Sequence, residues 1–412
     1  MKYIRKFILL FFLMIVYVYT LAISAIPKNI ILFQGEDLQI NTLFGISINQ
    51  NNNKDSILAS SRTDLKETGT YSLNVNLFNV FKAKEITVDV IQDTYIVPVG
   101  NLAGLKLYTN GVMVVGTTDI TSIDGKKYRP FENTDIQEGD IITKVNNTII
   151  TSTDHLIECI NNSKGEEITL LCVRDGKDFE ATIMPVKSVS GGFKLGLWVR
   201  DSAAGIGTVT FYEPNSKLFG ALGHGIVDID TEKLIDIECG EFVTTKIVNI
   251  IKGFSGEPGK IQGTVENQET IGEIYSNTIF GVYGKLNNIE ALQIDTSNII
   301  PVASRNDINE GEAKILCCTE NGNVQEYNIE IKKIYLNNSS NNKSMLIKIT
   351  DEKLLDATGG IIQGMSGCPI IQDGKFIGAI TNVLVSDPTA GYAVFSDMMI
   401  KELNMINWKK RI

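Results

Sequence analysis

The chain has 412 residues, of which 43% are hydrophobic and 21% are charged, and its formal net charge is −10. This length and composition indicate two or three globular domains and exclude a largely disordered chain. The net charge is negative and no long run of Lys or Arg occurs. The sequence therefore lacks the basic surface that is typical of nucleic-acid-binding proteins.

The N-terminus carries a basic flank followed by an apolar segment. Lys2, Arg5 and Lys6 precede a nearly unbroken apolar run that ends at Pro27. About 20 apolar residues are enough to cross a bilayer, and the basic flank should stay in the cytoplasm. A signal peptide with a long apolar core has the same features. We predict a signal or membrane-anchor segment over 1–27 and export of the remainder, and the pattern does not decide whether the segment is cleaved.

Residues 28–96 read as strands and loops. Short β-type runs occur at Ile31–Phe33 and Ser72–Phe78, and Glu85–Ile91 alternates apolar with polar residues, which is typical of a half-buried strand. This pattern predicts a small β-rich spacer.

Residues 97–187 combine strands, a helix and a hairpin. Thr153 and Asp154 form a helix-start signal before the apolar positions of His155–Ile160, and Asp175–Gly176 is a strong hairpin turn. With the stretch IQEGDIITKVNNTII at Ile136–Ile150, this order resembles a PDZ domain. The resemblance implies that an extended peptide binds beside an exposed strand. It would bind along the strand that begins at Gly111, with the residues Gly111, Val112, Met113 and Val114.

Residues 190–412 contain many short strands separated by turn glycines, and a helix is expected near Ser396–Met405. This pattern predicts an all-β barrel or sandwich, and the segment is long enough for two small barrels that share one cleft. The predicted fold class of the chain is therefore mostly β.

The cysteines and histidines are not spaced as metal ligands. No CxxC pair occurs among Cys159, Cys172, Cys239, Cys317, Cys318 and Cys368. We therefore expect no metal and no cofactor, and we expect most of these cysteines to be small buried residues. The sequence does not assign a disulfide.

A glycine-flanked serine is the candidate nucleophile. Ser366 lies in Gly364-Met365-Ser366-Gly367, ahead of an apolar strand. Glycines permit a tight turn that exposes the hydroxyl, and backbone N–H groups beside it, those of Gly364 and Ser366, can form an oxyanion hole. Cys368 enters the apolar strand and is not expected to be a nucleophile.

A serine nucleophile needs a base, and histidine is the usual one because its ordinary pKa is near 6.5. His155 lies in the PDZ-like unit, so His224, flanked by Gly223 and Gly225, is the candidate base. An acid should orient the imidazole. The residues leave several candidates open, namely Asp228, Asp230, Asp236, Asp295, Asp351 and Asp356.

Two long segments carry a family resemblance. KLGLWVRDSAAGIGTVTFYEPNSKLFGALGHGI at Lys194–Ile226 and TGGIIQGMSGCPIIQDGKFIGAITNVLVSDPTAGYAVF at Thr358–Phe395 resemble the S55 family of serine peptidases, the SpoIVB type of stage IV sporulation. The resemblance extends over the membrane segment, 1–27, the PDZ-like domain, 97–187, and the peptidase domain, 190–412. It implies a chymotrypsin-like double β-barrel.

The resemblance also implies a function. Members act between the two membranes around a bacterial forespore, where they cleave a membrane-bound regulatory protein and so release an intramembrane protease that matures a late sigma factor. The PDZ domain is tied to self-cleavage and target recognition. The family's base falls on His224, its nucleophile on Ser366 and its acid on Asp351, while Asp228 and Asp230 are the alternatives close to His224 in the sequence.

Two other functions fit the domain content. One is a membrane-tethered regulator that binds peptides and lacks catalysis, which the intact Ser366 and His224 motifs disfavour. The other is a general quality-control protease of the cell envelope, although such proteases usually carry the PDZ domain after the catalytic domain.

Overall fold

The computed structural model describes residues 2–38, 40, 43–50, 65, 67–319, 322–336 and 342–409. It is mostly β, as the sequence predicts, with an N-terminal helix, a PDZ-like unit and two barrels. Each of the six cysteines, all within the described residues, has a free thiol.

A long helix and a small sheet form the N-terminal unit. The helix α1 (Lys2–Ala25) contains a span, Tyr3–Ala25, that is apolar and long enough to cross a membrane. The sheet has the order β1-β4-β3-β2, and β1 runs parallel to β4. Its strands are β1 (Asn29–Phe33), β2 (Ile46–Gln50), β3 (Gly69–Leu77) and β4 (Phe81–Ile91).

The PDZ-like unit is inserted between two long strands. These long strands are β6 (Leu102–Thr117) and β15 (Leu197–Glu213), and β5 (Tyr95–Pro98) precedes them. The elements between them are β7 (Ile120–Thr121), β8 (Lys127–Tyr128), β9 (Ile141–Val145), β10 (Thr148–Ile149), α2 (Thr153–Asn162), β11 (Ile168–Arg174), β12 (Lys177–Ile183), β13 (Val186–Lys187) and β14 (Phe193–Lys194). The turn between β11 and β12 is Asp175–Gly176, so the predicted hairpin is confirmed. One core packs α2 against these strands.

The strand β6 belongs to two units at once. Both halves pair with β15 on one side. On the other side the first half pairs with β17 of the protease sheet, whereas Val112 and Met113 pair with β9 of the PDZ-like unit. Gly111 lies between the two halves with φ +106°, and a Cβ there would meet the carbonyl oxygen of Ile142 at 2.4 Å. Glycine therefore allows the close backbone approach at which the strand passes from one unit into the other. The domain bounds 97–187 and 190–412 remain predictions, and the pairing of β6 with β15 joins the two predicted domains.

The first barrel is closed by the pairing of β6 with β15. The strands β16 (Leu218–Ala221), β17 (Ile237–Ile251), β18 (Lys260–Thr278) and β19 (Gly281–Leu286) follow, and β20 (Ile300–Pro301) pairs with β5. The pairing runs β6-β17-β18-β19-β16-β15, and β15 returns to β6, which completes a ring of six strands.

The second barrel is also closed, with the order β21-β22-β23-β26-β25-β24. Its elements are β21 (Gly311–Cys318), β22 (Val324–Ile334), β23 (Met345–Ile349), α3 (Glu352–Thr358), β24 (Pro369–Gln372), β25 (Lys375–Leu384), β26 (Asp387–Phe395) and α4 (Ser396–Lys409). Along β23 the inward residues Met345, Ile347 and Ile349 are buried at period two, as a barrel strand requires. The predicted C-terminal helix is confirmed as α4.

Candidate active site

Ser366 lies on a tight turn between α3 and β24, at the edge of the second barrel. Gly364 and Gly367 on either side have φ values of +104° and +97°, which residues other than glycine rarely adopt. A Cβ on Gly367 would meet the carbonyl oxygen of Thr208 at 2.3 Å. The glycines therefore let this turn approach the first barrel closely.

Thr208 of β15 holds the serine turn from the first barrel. Its hydroxyl donates to the carbonyl oxygen of Gly364 at 2.7 Å, and its amide donates to the carbonyl oxygen of Ser366 at 3.2 Å. Thr208 is buried, so both hydrogen bonds are shielded from water. Sequence reasoning missed this residue because a threonine in a β-run carries no motif.

The hydroxyl of Ser366 is hydrogen-bonded to a backbone carbonyl, while two nearby amides have no acceptor among the described residues. Its hydroxyl donates to the carbonyl oxygen of Thr381 at 2.8 Å. In the described part of the chain, the amides of Gly364 and Ser366 donate to no intramolecular acceptor. Two free N–H groups beside a serine hydroxyl are what an oxyanion hole requires.

His224 follows β16 at the edge of the first barrel. Its Nδ1 lies 2.8 Å from the carbonyl oxygen of Gly225. Because a carbonyl can only accept, Nδ1 carries the proton in the neutral ring and Nε2 keeps the lone pair. Burial lowers the pKa of His224 below its ordinary 6.5, and the hydrogen bond to Gly225 opposes that effect. The neutral, basic form is therefore favoured.

Asn277 of β18 holds the loop after His224. Its side-chain oxygen accepts from the amide of Ile226 at 2.8 Å, and its side-chain nitrogen donates to the carbonyl oxygens of Ile226 and Ile235, each at 2.8 Å. An amide side chain that bridges backbone groups this way fixes the course of the loop. No sequence motif marks Asn277, and only the fold brings it to this loop.

His224 and Ser366 line one cleft of about 590 Å³ between the two barrels. Its walls include Ala203–Ile206 of β15 and the side chains of Leu105 and Leu107 of β6. Within the described residues, no hydrogen bond joins the hydroxyl of Ser366 to the ring of His224. The structure thus brings the predicted nucleophile and base to one cleft without aligning them.

The structure does not bring Asp351 to His224. Asp351 is the N-cap of α3, where one carboxylate oxygen accepts from the amides of Lys353 and Leu354 at 3.0 and 3.3 Å. The other oxygen accepts from the amide of Asn328 at 3.2 Å. These bonds start the helix that precedes the serine turn, which is a different task from orienting an imidazole.

The two alternative acids are also engaged elsewhere. Asp228 is buried, forms an ion pair with Arg200 and accepts from the amides of Asp230 and Thr231 at 3.0 and 2.9 Å. Asp230 contacts the same guanidinium at 2.8 Å. In the regions that the structure describes, no carboxylate lies within hydrogen-bonding or ion-pairing distance of the His224 ring. The Gly225 carbonyl takes the position beside Nδ1.

The predicted peptide-binding strand has no free edge. Residues Gly111, Val112, Met113 and Val114 lie on β6, and Met113 pairs with Ile141 of β9 on one side and with Arg200 of β15 on the other. Backbone pairing on both sides leaves no edge at Met113 to which a peptide strand could add. The sequence did not show it because the long return strand β15 occupies the edge.

A groove of about 620 Å³ lies elsewhere on the PDZ-like unit. It runs between α2, with Leu156, Ile157 and Ile160, and the segment Phe193–Val199. Among the described strands, the start of β15 pairs only with β6 on one side, so its other edge faces this groove. A helix that presents apolar side chains beside a free strand edge is the arrangement that accepts an extended peptide.

Among the described residues, no group of three or more His, Cys, Asp or Glu side chains is placed to hold a metal ion.

The family comparison supplies the identity. A profile described as SpoIVB peptidase S55 matches residues 191–400, just over half of the chain, and a PDZ domain profile matches residues 104–184. The chain belongs to the SpoIVB peptidase S55 family. This S55 peptidase is thus a serine peptidase with a PDZ domain, and its N-terminal apolar helix is compatible with a signal peptide or a membrane anchor. No curated protein matches this chain in sequence.

Solved structures resemble parts of this chain. The PDZ domain of the SdrC-like protein from Listeria monocytogenes is 20% identical with a TM-score of 0.18, covering 22% of this chain and 87% of that one. The active form of the Rv3671c protease from M. tuberculosis is 12% identical with a TM-score of 0.28, covering 49% of this chain and 74% of that one. The inactive form of the same protease has the same identity and TM-score, and the match covers 49% of this chain and 84% of that one.

Proposed function

We propose that this chain is a serine endopeptidase in which Ser366 is the nucleophile and His224 is the general base. The observation that carries this proposal is the shared cleft, which is lined by both Ser366 on its glycine turn, with two unengaged amides beside it, and His224. The cleft is open between two barrels, and an extended segment of polypeptide fits such a site.

The proposed reaction follows from these groups. The Ser366 oxygen attacks the carbonyl carbon of the scissile bond while His224 Nε2 takes the hydroxyl proton. The resulting oxyanion accepts from the amides of Gly364 and Ser366, and the Gly225 carbonyl stabilises the protonated imidazole through Nδ1–H. His224 then protonates the leaving amine. Water, deprotonated by His224, hydrolyses the acyl-enzyme and restores the serine.

The hydroxyl of Ser366 must leave Thr381 before this reaction. In the resting structure it donates to that carbonyl and not to His224. A rotation about the serine χ1 torsion carries the oxygen between staggered positions, and substrate in the cleft favours the productive one. The resting arrangement thus lowers activity until a substrate is in place.

The substrate is proposed to be a protein held near a membrane. The apolar helix α1 would tether the enzyme, and the groove beside α2 would capture an extended segment of the target or of the chain itself. In keeping with the name of the matching family, we place the enzyme in sporulation. There it would cleave itself and a membrane-bound regulator of an intramembrane protease between the two membranes around the forespore, so that a late sigma factor matures.

The test is to label the purified chain with a fluorophosphonate and to map the modified residue by mass spectrometry. Modification of Ser366, lost in Ser366→Ala and retained in the exposed control Ser297→Ala, is the expected result. Cleavage of a peptide by a folded Ser366→Ala protein would refute the assignment.

A further inference from the structure

The N-terminal sheet exposes a cluster of apolar side chains at one end. We define the apolar tip as the loop before β2 and the turn between β3 and β4, with the side chains of Leu43, Phe44, Phe78, Val80 and Phe81. Their exposed fractions are 42, 90, 54, 72 and 67% respectively. A compact exposed group of three aromatic and two aliphatic side chains marks an interaction surface.

The apolar tip lies against the membrane-type helix. The hydroxyl of Tyr19 in α1 donates to the carbonyl oxygen of Phe44 at 2.6 Å, and the rings of Tyr19 and Phe78 are 5.8 Å apart. Tyr19 precedes the helix end at Ala25 by six residues, or about 9 Å of helix. The apolar tip is therefore level with the last turns of the apolar span, where a spanning helix meets the boundary of headgroups and acyl chains.

The sheet is fixed to the end of this helix. The ammonium group of Lys84 in β4 donates to the carbonyl oxygens of Ile23 and Ile26, which lie at and just beyond the helix C-terminus. A cation at this end is favourable because the last carbonyls lack helical partners. Ile26 is also buried in one core with Leu73 and Val88 of the sheet. The helix end and the sheet thus form one packed unit, and the apolar tip cannot turn away from the helix.

Several polar groups at the turn of the apolar tip have partners within the protein. The amide of Phe78 donates to the carbonyl oxygen of Gly45 at 2.5 Å, and the amide of Val80 donates to that of Leu77 at 3.1 Å. The side chain of Asn79 accepts from the hydroxyl of Ser47. Internal partners for backbone and amide groups are what an element immersed in lipid needs.

The turn itself holds the aromatic rings outward. Phe78 and Asn79 have φ values of +52° and +58°, the two left-handed residues of a type I′ turn. A phenylalanine in this region is strained, and such strain persists where the surrounding structure imposes it. A smaller turn residue would relieve the strain, so an aromatic side chain here points to a use for it.

We propose that the apolar tip inserts into the interfacial region of a lipid bilayer beside α1, and that α1 is retained as a membrane anchor. The partner is the bilayer itself, because the apolar tip continues the apolar surface of the span and aromatic side chains favour this depth. The contact gives the enzyme a second attachment beside the helix. The sheet is tied to α4 of the protease through Lys401 and Asp89, at 2.5 Å, so the attachment sets the orientation of the catalytic cleft above the membrane.

The test uses the full chain in the Ser366→Ala background, which prevents self-cleavage, reconstituted into phosphatidylglycerol vesicles with brominated acyl chains. The Phe81→Trp and Phe44→Trp variants place a fluorescent probe in the apolar tip, and Val189→Trp places one on the exposed surface of the PDZ-like unit. After subtraction of the parent emission, bromine near the first acyl carbons should quench both tip variants at least twofold and leave Val189→Trp unchanged.

Phe44 is so exposed that its replacement removes little packing, which keeps the test valid if Phe81→Trp fails to fold. Quenching of the tip variants no greater than that of Val189→Trp would overturn the proposal. So would shielding of the apolar tip by a second copy or another protein, seen as a blue-shifted emission that brominated lipid does not quench. The intact mass of the membrane-extracted chain should include 1–27, and removal of this segment would also overturn it.

Discussion

The hydroxyl of Ser366 donates a hydrogen bond to the carbonyl oxygen of Thr381 at 2.8 Å. Because this bond joins two neutral groups, the Ser366→Ala change should lower the free energy of unfolding by about 0.5–1.5 kcal/mol, while peptide cleavage stops. Denaturant unfolding and a cleavage assay on the same sample measure both effects. A much larger loss of stability would mean that the turn is held by more than this bond, and the activity loss would then not report catalysis.

The pH dependence should reflect the burial of His224. The base acts in its neutral form, and burial lowers its pKa below 6.5, so kcat/KM for a short peptide should stay high below pH 6.5 and fall through the lowered pKa. The neutral His224 ring also contributes to the free energy of unfolding. This contribution is fully present above the ordinary pKa of 6.5 and is lost as the pH falls through the lower pKa of the folded protein.

The matched control is His155→Ala, which removes the partly exposed histidine of the PDZ-like unit. His155→Ala should leave the pH–rate profile unchanged. His224→Ala should abolish the activity, so that no pH–rate profile can be measured. A decline in kcat/KM that begins well above pH 6.5 would contradict the role of burial at His224.

Asp351 should act through its helix cap. Asparagine accepts hydrogen bonds at an N-cap as well as aspartate does, so Asp351→Asn should keep activity within a few-fold, while Asp351→Ala should cost about 0.5–2 kcal/mol of stability. An acid that orients the imidazole behaves differently, since its replacement by asparagine lowers kcat by about 10⁴-fold in a serine protease triad. Peptide cleavage by the Asp351→Asn protein decides between the two roles.

Thr208 should position the serine turn without touching substrate. The Thr208→Val change leaves the carbonyl of Gly364 without its donor, and the shifted turn should lower kcat by up to about 10²-fold with little change in KM. Thr208→Ser keeps the hydroxyl and should restore most of kcat. Equal losses in both variants, or a loss that follows the melting temperature, would mean that the threonine only supports packing.

The groove beside α2 should select protein targets and spare small substrates. Ile157 lines the groove and is 49% exposed, so Ile157→Glu should fold and should lower cleavage of a protein target by about 10²-fold while a short peptide is cleaved normally. Ile149→Glu, on the exposed β10 outside the groove, is the matched control. Equal loss on both substrates would show that β15, which leads from the groove to the cleft, transmits the change to Ser366.

The sequence alone predicted the features that depend on local pattern. Alternating apolar residues indicated the strands, the Asp175–Gly176 dipeptide predicted the hairpin, and the unbroken apolar run predicted α1, because each is set by neighbours in the chain. Gly364, Gly367 and Gly223 marked the turns at Ser366 and His224 for the same reason, since a positive φ is a demand of the local backbone.

The tertiary structure alone decided which of these parts meet. The period of a strand determines its inner face but not its neighbours, so only the fold showed that β6 and β15 join the PDZ-like unit to the first barrel and that Gly111–Val114 have no free edge. The family resemblance predicted Asp351 as the acid, yet in the fold its carboxylate caps α3 through the amides of Lys353 and Leu354. Thr208 reaches the serine turn across 156 residues of sequence, a contact that only the packing of two barrels creates.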